Sequence, residues 1–569
     1  MKGMQRASSF YDHVAFVTLM LAAAAILLPC LAAIPLIRAE AMFALIPKEM
    51  LEAGQYLTPT LNGVPYLDKP PLIYWLTLAA YQMFGVAEGT ARAVNLLCAL
   101  GEIGFTCLIG LRLFNRRAAW LAGFILFTSV GFFSQHLVIY TDHLISLCLA
   151  ASVYFVLRWQ EKRARRWAVL FYLCLAAGFL SKGFIGLLFP LAVGGLYALC
   201  VPQRELFRLF FWPWGWVGVL LLTTPWLAAM EIHHPGFLRH HLVNEQILRF
   251  LGQRHPKDVN SFSLPAFWLL LGIWLLPWTP LLPAALYRFW QETVSGEGRR
   301  DPRGRLILIW AAMVLGFFTL SASRIEYYCL PALPALALVL GWRVQKFTEF
   351  SRDPSICWAL WLLALAAAAL LLVLPRLEEL FAANRRELIG LFEQAKPTAR
   401  QIMVVIPLLA SVGALLGWHR PARAVVAYGL VAVVLLSFTF QTYSALSPLV
   451  SDKIPGEYIR RFARPGDLVV MEYIEEFEYG ASLAYYADRR ILMVKRGQLP
   501  QFPYPVAPEK NYLIFPERLK ELWQGENRVF LLADEVVAPE PFLKEAPVQV
   551  ALTGKRLLIN QSCHLADKN

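Results

Sequence analysis

Thirteen largely apolar runs follow one another through the first 443 residues, at approximately 14–37, 92–113, 118–134, 141–157, 167–180, 184–200, 211–230, 264–286, 306–321, 327–343, 356–374, 401–418 and 423–443. A helix needs about 20 apolar residues to cross a bilayer, somewhat fewer where its ends are shielded by protein. Inside hydrocarbon every backbone polar group must be satisfied within the segment, so the runs predict helices and exclude open sheet edges. The chain therefore reads as a polytopic α-helical membrane protein with about 13 transmembrane helices. Composition agrees: 58% of the 569 residues are hydrophobic and 16% charged, a balance that would leave a soluble chain with large exposed apolar patches. The first run is too long for a removed signal peptide and has no small-residue cleavage site, so it is read as an anchor.

The connections between runs carry an orientation signal. Arg112, Arg116 and Arg117, the cluster from Arg158 to Arg166, Arg204 and Arg208, the group from Arg288 to Arg305, Arg343 and Lys346, and His419, Arg420 and Arg423 all fall on one side. The positive-inside rule makes that side the cytoplasm, with the amino terminus inside and the carboxy-terminal part outside. Arg385 and Arg386, in the outer connection Arg376 to Arg400, run against the rule, and the mixed Glu and Arg content there suggests a helical cap. The net charge of +13 comes from the membrane part, because from Asp452 onward 16 Lys and Arg face 17 Asp and Glu. Basic residues spread through short inter-helix loops argue against nucleic acid as a partner. Of the nine cysteines only Cys563 lies in the tail, so no disulfide forms within it.

Polar residues without a packing reason gather on the outer side. After the first run, Ala41 to Ala53 has helical periodicity and stops at Gly54. Asn62-Gly63 supplies a turn, and Pro70-Pro71 starts an aromatic helix over 71–84. Counting that helix as a span breaks the charge register, so it is laid along the outer surface with Tyr74, Trp75 and Tyr81 at the headgroup level. Residues 1–443 are expected to form the membrane domain, with 38–88 as an outer loop, and 444–569 a small α/β domain with strands at Leu468–Met471, Ile491–Val494, Val529–Leu532 and Val548–Leu552.

No phosphate-cradling Gly-rich loop, metal-spaced cysteine set or nucleophile elbow occurs. Carboxylates and cations at one membrane face remain. Glu40 and Asp68 are candidates, against the plain reading of loop charges, and Asp142 opens a span, where helix capping is the competing reading. Lys182 lies between two apolar segments with only Ser181 and Gly183 as polar company, so burial would need a partner anion. Arg249 lies four residues from Glu245, a spacing that a helical ion pair also explains. Histidines 233, 234, 240, 241 and 255 lack a metal-ligand spacing and read better as a lipid-headgroup surface. The metal question stays open, with no certain cofactor and room for a divalent cation. Cations at the outer membrane level suit the phosphate of a lipid whose tail stays in the bilayer, and a neighbouring carboxylate suits a general base.

These residues resemble the bacterial aminoarabinose transferases and related GT-C glycosyltransferases that use polyprenyl-phosphate sugars. The marks are Ile46-Pro47-Lys48-Glu49-Met50-Leu51-Glu52-Ala53-Gly54, then Leu61-Asn62-Gly63-Val64-Pro65-Tyr66-Leu67-Asp68-Lys69-Pro70-Pro71, with Ser181-Lys182-Gly183, Arg249-Phe250 and Glu326-Tyr327-Tyr328-Cys329-Leu330-Pro331 in support. The resemblance implies a GT-C fold and transfer of a sugar from undecaprenyl phosphate to a lipid or other cell-envelope acceptor at the periplasmic face, such as aminoarabinose to lipid A. It places Lys69, Lys182 and Arg249 near the donor phosphate, with Tyr328, Asp68 and Tyr74 lining the cavity. Family members usually open the first loop with an Asp-Glu pair, whose Asp is the favoured catalytic carboxylate; here Ala39 precedes Glu40. Asp68 stands for the usual Glu, and Gln55 for a common Asp. The base is then expected at Glu40 or Asp142. A lipid-linked saccharide ligase is a near alternative. A transporter would show repeat symmetry and midplane charges, and a non-catalytic envelope protein would follow if Ala39 marks lost activity.

Overall fold

The computed structural model describes residues 2–201, 204–255, 261–295, 303–349, 354–384, 389–472, 477–494, 506, 511–534, 541–543, 546–552 and 554–560. Every apolar run is helical in it. Among the described residues nine helices are long and apolar enough to cross a membrane, or eleven if two bent pairs each count as one span. The other two expected spans fall in Arg165–Lys182, charged at both ends, and in the shorter Phe184–Cys200. Helices Ser355–Asn384 and Ile389–Gly417 extend through much of the expected outer connection, while Arg385 and Arg386 lie outside the described residues.

The bent pairs explain each other. Arg116–Thr128 and Val130–His136 meet at 58°, and Leu264–Trp274 and Thr279–Ser295 at 105°. A broken helix in apolar surroundings frees backbone groups that water cannot reach. Here the Val130 amide donates to the Leu276 carbonyl at 2.9 Å, so one break satisfies the other. The Trp278 indole donates to Thr128 Oγ1 at 3.1 Å, and the Tyr428 hydroxyl to the Pro277 carbonyl at 2.7 Å. Gly131 lets the pieces touch, since a Cβ there would lie 2.3 Å from the Trp274 side chain.

The first connection folds as a layer on one end of the bundle. Helix Arg38–Glu52 is followed by a two-stranded hairpin, β1 (Thr60–Leu61) and β2 (Val64–Pro65), whose turn residues Asn62 and Gly63 both have positive φ, the geometry an Asn-Gly pair favours. Helix Leu72–Phe84 then runs beneath Arg38–Glu52. The headgroup placement of its aromatic residues is corrected. Tyr74 and Tyr81 are 0% and 2% exposed, Tyr74 stacks on Phe43, and the Tyr81 hydroxyl donates to the Ala44 carbonyl. Met83 and Phe84, at 72% and 70%, are the most exposed large apolar residues of that helix, with Leu76 at 39%.

The last long helix, Pro421–Val450, runs past residue 443 into helix Lys453–Phe462 and a six-stranded sheet. Its strands are β3 (Leu468–Glu472), β4 (Leu492–Val494), β5 (Leu513–Ile514), β6 (Val529–Asp534), β7 (Val548–Leu552) and β8 (Lys555–Ile559), in the order β5-β4-β3-β6-β8-β7. The first four in that order are parallel, while β8 and β7 join antiparallel. The sheet domain grips the layer below it. Asn62 exchanges two hydrogen bonds with the Ile491 backbone at 2.8 and 2.9 Å, the Leu36 amide donates to the Tyr486 hydroxyl, and Lys48 pairs with Asp488. Asn62→Ala removes two buried bonds and is expected to loosen this docking by about 1–3 kcal/mol. Faster proteolysis between residues 451 and 468, without change in the helical circular dichroism, is the expected readout.

Candidate active site

Two charged clusters meet on the end of the bundle that carries the sheet domain. The first is built by three helix ends. Asp142 is the first residue of Asp142–Lys162, Lys182 the last of Arg165–Lys182, and Tyr327 and Tyr328 belong to the short helix Glu326–Ala332. Both Asp142 oxygens accept from Lys182 Nζ, at 2.7 and 2.6 Å, and the two side chains are only 3% and 10% exposed. The ammonium also lies 4.3 Å from the Tyr328 ring centre and 5.5 Å from that of Tyr327, a favourable placement against aromatic faces. Tyr327 stacks on Tyr140 at 4.1 Å, which fixes the wall beside Asp142. The anion that the isolated Lys182 required is thus Asp142. Gly183 closes the helix with φ +73, and a Cβ there would come within 2.7 Å of the Gln246 amide, so the position needs glycine twice over.

The second cluster surrounds Glu245. Residues Arg239–Leu248 form a π-helix, a rare geometry whose i to i+5 bonds put residues five apart on one face. His240 and Glu245 share that face. Glu245 accepts from Lys69 at 3.3 Å, from Arg249 at 3.2 Å and from Arg254 Nε, while Arg254 also reaches Asp68 at 3.2 Å and His240 Nε2 lies 2.8 Å from Asp68. Burial alone would raise the Glu245 carboxyl, but Lys69, Arg254 and Arg249 together hold it below the usual carboxylate range. Three cations, Lys69 on the first loop and Arg249 and Arg254 just after the π-helix, face two carboxylates and leave the cluster with a positive balance. Asp68, His240 and Glu245 offer ligand atoms within 4.8 Å of one another. Because Arg254 already bridges both carboxylates, the group as arranged fits a guanidinium, and a divalent cation would have to displace it.

A cavity of about 270 Å³ joins the clusters. Phe184, Ile185, Leu188, Phe250 and Phe317 make an apolar wall, and its polar border includes Arg249 and Glu245 from one cluster and Tyr328 from the other. An apolar groove bordered by the Arg249 guanidinium suits a lipid chain with an anionic head.

The expected site residues divide accordingly. Asp142, Lys182 and Tyr328 are brought together, Lys69, Arg249 and Asp68 meet around Glu245, and Arg249 pairs with Glu245 as helical spacing also allowed. Two expectations need correction. Glu40 does not face the cavity as a base; it is 2% exposed and both its oxygens are held by Arg92, at 2.6 and 2.8 Å. Tyr74 packs under helix Arg38–Glu52 instead of lining the cavity, and Asp68, held by His240 and Arg254, does not line it either. The headgroup reading of the histidines also fails for His240 and His241, which are 8% and 0% exposed. The sequence offers Glu245 only as a helical partner of Arg249 and His240 only as one of five loop histidines, because only a π-helical turn puts the two side by side, and it gives no signal for Arg254.

His241 carries a pH consequence. Its ring stacks on Phe237 at 5.2 Å, neither ring nitrogen has a hydrogen-bond partner among the described residues, and burial pushes its pKa down to about 4. The unfolded chain binds that proton near pH 6.5 and the folded chain near pH 4, so this loop loses stability as pH falls through that window. Hydrogen exchange across 237–249 should rise between pH 6.5 and 4, and His241→Phe should flatten the rise.

Known proteins resemble this chain in sequence and in fold. The sequence profile of the dolichyl-phosphate-mannose-protein mannosyltransferase family matches residues 68–228. The undecaprenyl phosphate-alpha-4-amino-4-deoxy-L-arabinose arabinosyl transferase of Yersinia enterocolitica is 30% identical over 309 residues, 53% of this chain and 54% of that protein. The enzyme of the same name from Pseudomonas paraeruginosa is 28% identical over 454 residues, 77% of this chain and 75% of that one. In most of these alignments the chain spans about half the length of the relative. The crystal structure of ArnT from Cupriavidus metallidurans bound to undecaprenyl phosphate superposes with a TM-score of 0.81 at 22% identity, over 96% of this chain and 98% of that one. In sequence the chain is similar to the aminoarabinose transferases, and over nearly its whole length it has their GT-C fold.

Proposed function

We propose that this protein is an inverting membrane glycosyltransferase that moves a sugar, aminoarabinose or a close relative, from undecaprenyl phosphate to a lipid or glycan acceptor such as lipid A. The observation that carries the reading is the apolar cavity ending between Arg249 and the Tyr328-Lys182-Asp142 group. In the proposed reaction the lipid tail lies along Phe184, Phe250 and Phe317, and the phosphate head meets Arg249 and Lys182, with Lys69 beside them. Asp142 is the general base. An acceptor hydroxyl attacks the anomeric carbon, the bond from that carbon to the phosphate oxygen breaks, and undecaprenyl phosphate leaves with the bond's electron pair. The hydroxyl proton passes to Asp142.

Lys182 links binding to chemistry in this scheme. Without donor it holds both Asp142 oxygens; an arriving phosphate competes for the ammonium and frees one oxygen to take a proton. Electrostatic stabilisation of the leaving phosphate comes from the same cation. The membrane orientation belongs to the proposal too: the amino terminus in the cytoplasm, the cavity and sheet domain in the periplasm, supported by the basic loops at the opposite end.

Release of undecaprenyl phosphate from an undecaprenyl-phosphate sugar by the purified protein tests the reading. Asp142→Asn is expected to lower turnover by about a hundredfold to ten-thousandfold, the range for a positioned base, while donor binding persists. Unchanged turnover in that variant would remove Asp142 as the base. Lys182→Ala should weaken donor binding by about 1.5–3 kcal/mol, with partial recovery in Lys182→Arg. A cysteine introduced beside Gly183 should react with impermeant reagents only from the periplasmic side; labelling from the cytoplasm alone would overturn the orientation.

A further inference from the structure

We infer that the Glu40-Arg92 pair and Asn95 are positioning residues that set the turn delivering Asp142, an assignment that rests on Asp142 as the base. Arg92, just before helix Ala93–Leu113, is 0% exposed. Its Nε and Nη2 donate to the two Glu40 oxygens, Nη1 donates to the Leu31 carbonyl at 2.8 Å and the Ile34 carbonyl at 2.5 Å, and Nη2 also reaches the Pro35 carbonyl at 3.2 Å. The first helix thus ends on this guanidinium, which Glu40 neutralises. Glu40 does more than neutralise it, because its Oε1 also accepts from the Ile139 amide at 3.2 Å. One turn along from Arg92, Asn95 Nδ2 donates to the His136 carbonyl at 3.2 Å and the Val138 carbonyl at 2.7 Å. His143 Nε2 lies 3.0 Å from the same Val138 carbonyl.

Four contacts therefore grip residues 136–139, the segment between helix Val130–His136 and the start of helix Asp142–Lys162. Beyond the turn that ends helix Val130–His136, where the Leu137 and Val138 amides bond back to the Ser134 and Gln135 carbonyls, residues 139 and 140 belong to no helix or strand. Three residues past Ile139 stands Asp142, whose oxygens must meet Lys182 and an acceptor hydroxyl within hydrogen-bond reach. A shift of about 1 Å in a reacting group costs on the order of a hundredfold in rate, so a buried clamp at the base of the turn governs turnover without touching substrate. A carboxylate suits this place better than an amide, since it can serve both the guanidinium and the amide of Ile139.

The test uses the full-length protein in lipid nanodiscs, with Asn95→Ala, Glu40→Gln and Asp142→Asn. Asn95→Ala leaves the buried ion pair intact and serves if Glu40→Gln does not fold. Turnover is normalised to protein that still binds undecaprenyl phosphate. The expected result is a fall in kcat of about ten- to hundredfold in Asn95→Ala and Glu40→Gln, with the donor KM unchanged, and no further fall when Asn95→Ala is added to Asp142→Asn. Equal kcat per binding-competent molecule in Asn95→Ala and wild type, with Asp142→Asn inactive, would overturn the clamp and leave the base assignment standing. Undiminished turnover in Asp142→Asn would instead overturn the base assignment itself.

Discussion

An unpaired charge has no stable place in hydrocarbon, and that constraint arranges this molecule. Its spans carry few ionisable groups, and among the described residues the cations of the two clusters and of the first loop are paired: Arg92 with Glu40, Lys182 with Asp142, and Lys69, Arg249 and Arg254 around Glu245. Each pair costs desolvation that only good geometry returns, and breaking one partner away typically costs 3–5 kcal/mol. The positions of these residues are consequently set to within a hydrogen bond, which is what a site for a charged lipid head requires. Arg92 and Glu40 are fully enclosed and serve as a fixed point. Arg249 lines the cavity, and Lys182 lies behind the cavity residue Tyr328, 4.3 Å from its ring centre.

The layer above the bundle has a mechanical part in this arrangement. The loop that carries Asp68 and Lys69 is anchored at both ends, by Pro71 entering helix Leu72–Phe84 and by the Asn62 turn held on the Ile491 backbone. The sheet domain places no described residue in the cavity. It presses on the loop that reaches the second cluster, and Lys453 and Tyr486 pack against Glu88 close to Arg92. Packing of this kind makes a polar loop as exact as a helix, which precise placement of Lys69 needs.

How much of this could be read from residues alone depended on the range of the interaction. The helical bundle was legible because apolar length is a local property, and β3, β4, β6 and β7 because short β-branched and apolar runs are local as well. β5 and β8 were missed: two residues make β5, and β8 carries Lys555 and Arg556 at its start. Lys182 could be recognised as needing an anion because nothing near it in sequence supplied one; that Asp142 is the partner, 40 residues away, needed the fold. Glu40 shows the opposite case. Its place beside Ala39 made it look like a displaced base, and only Arg92, 52 residues on, reveals a carboxylate already committed. The π-helix hid the second cluster, since reading residues 239–248 with α periodicity turns His240 and Glu245 to different faces.

The central claim is that both clusters serve one lipid phosphate and that its arrival draws Lys182 from Asp142. The most direct measurement is a structure of the protein in nanodiscs with undecaprenyl phosphate. The account predicts the phosphate within hydrogen-bond distance of both Arg249 and Lys182, the lipid chain along Phe184 and Phe250, and Lys182 released from at least one Asp142 oxygen. A phosphate bound away from Arg249, or one bound while Lys182 keeps both of its bonds to Asp142, would contradict it.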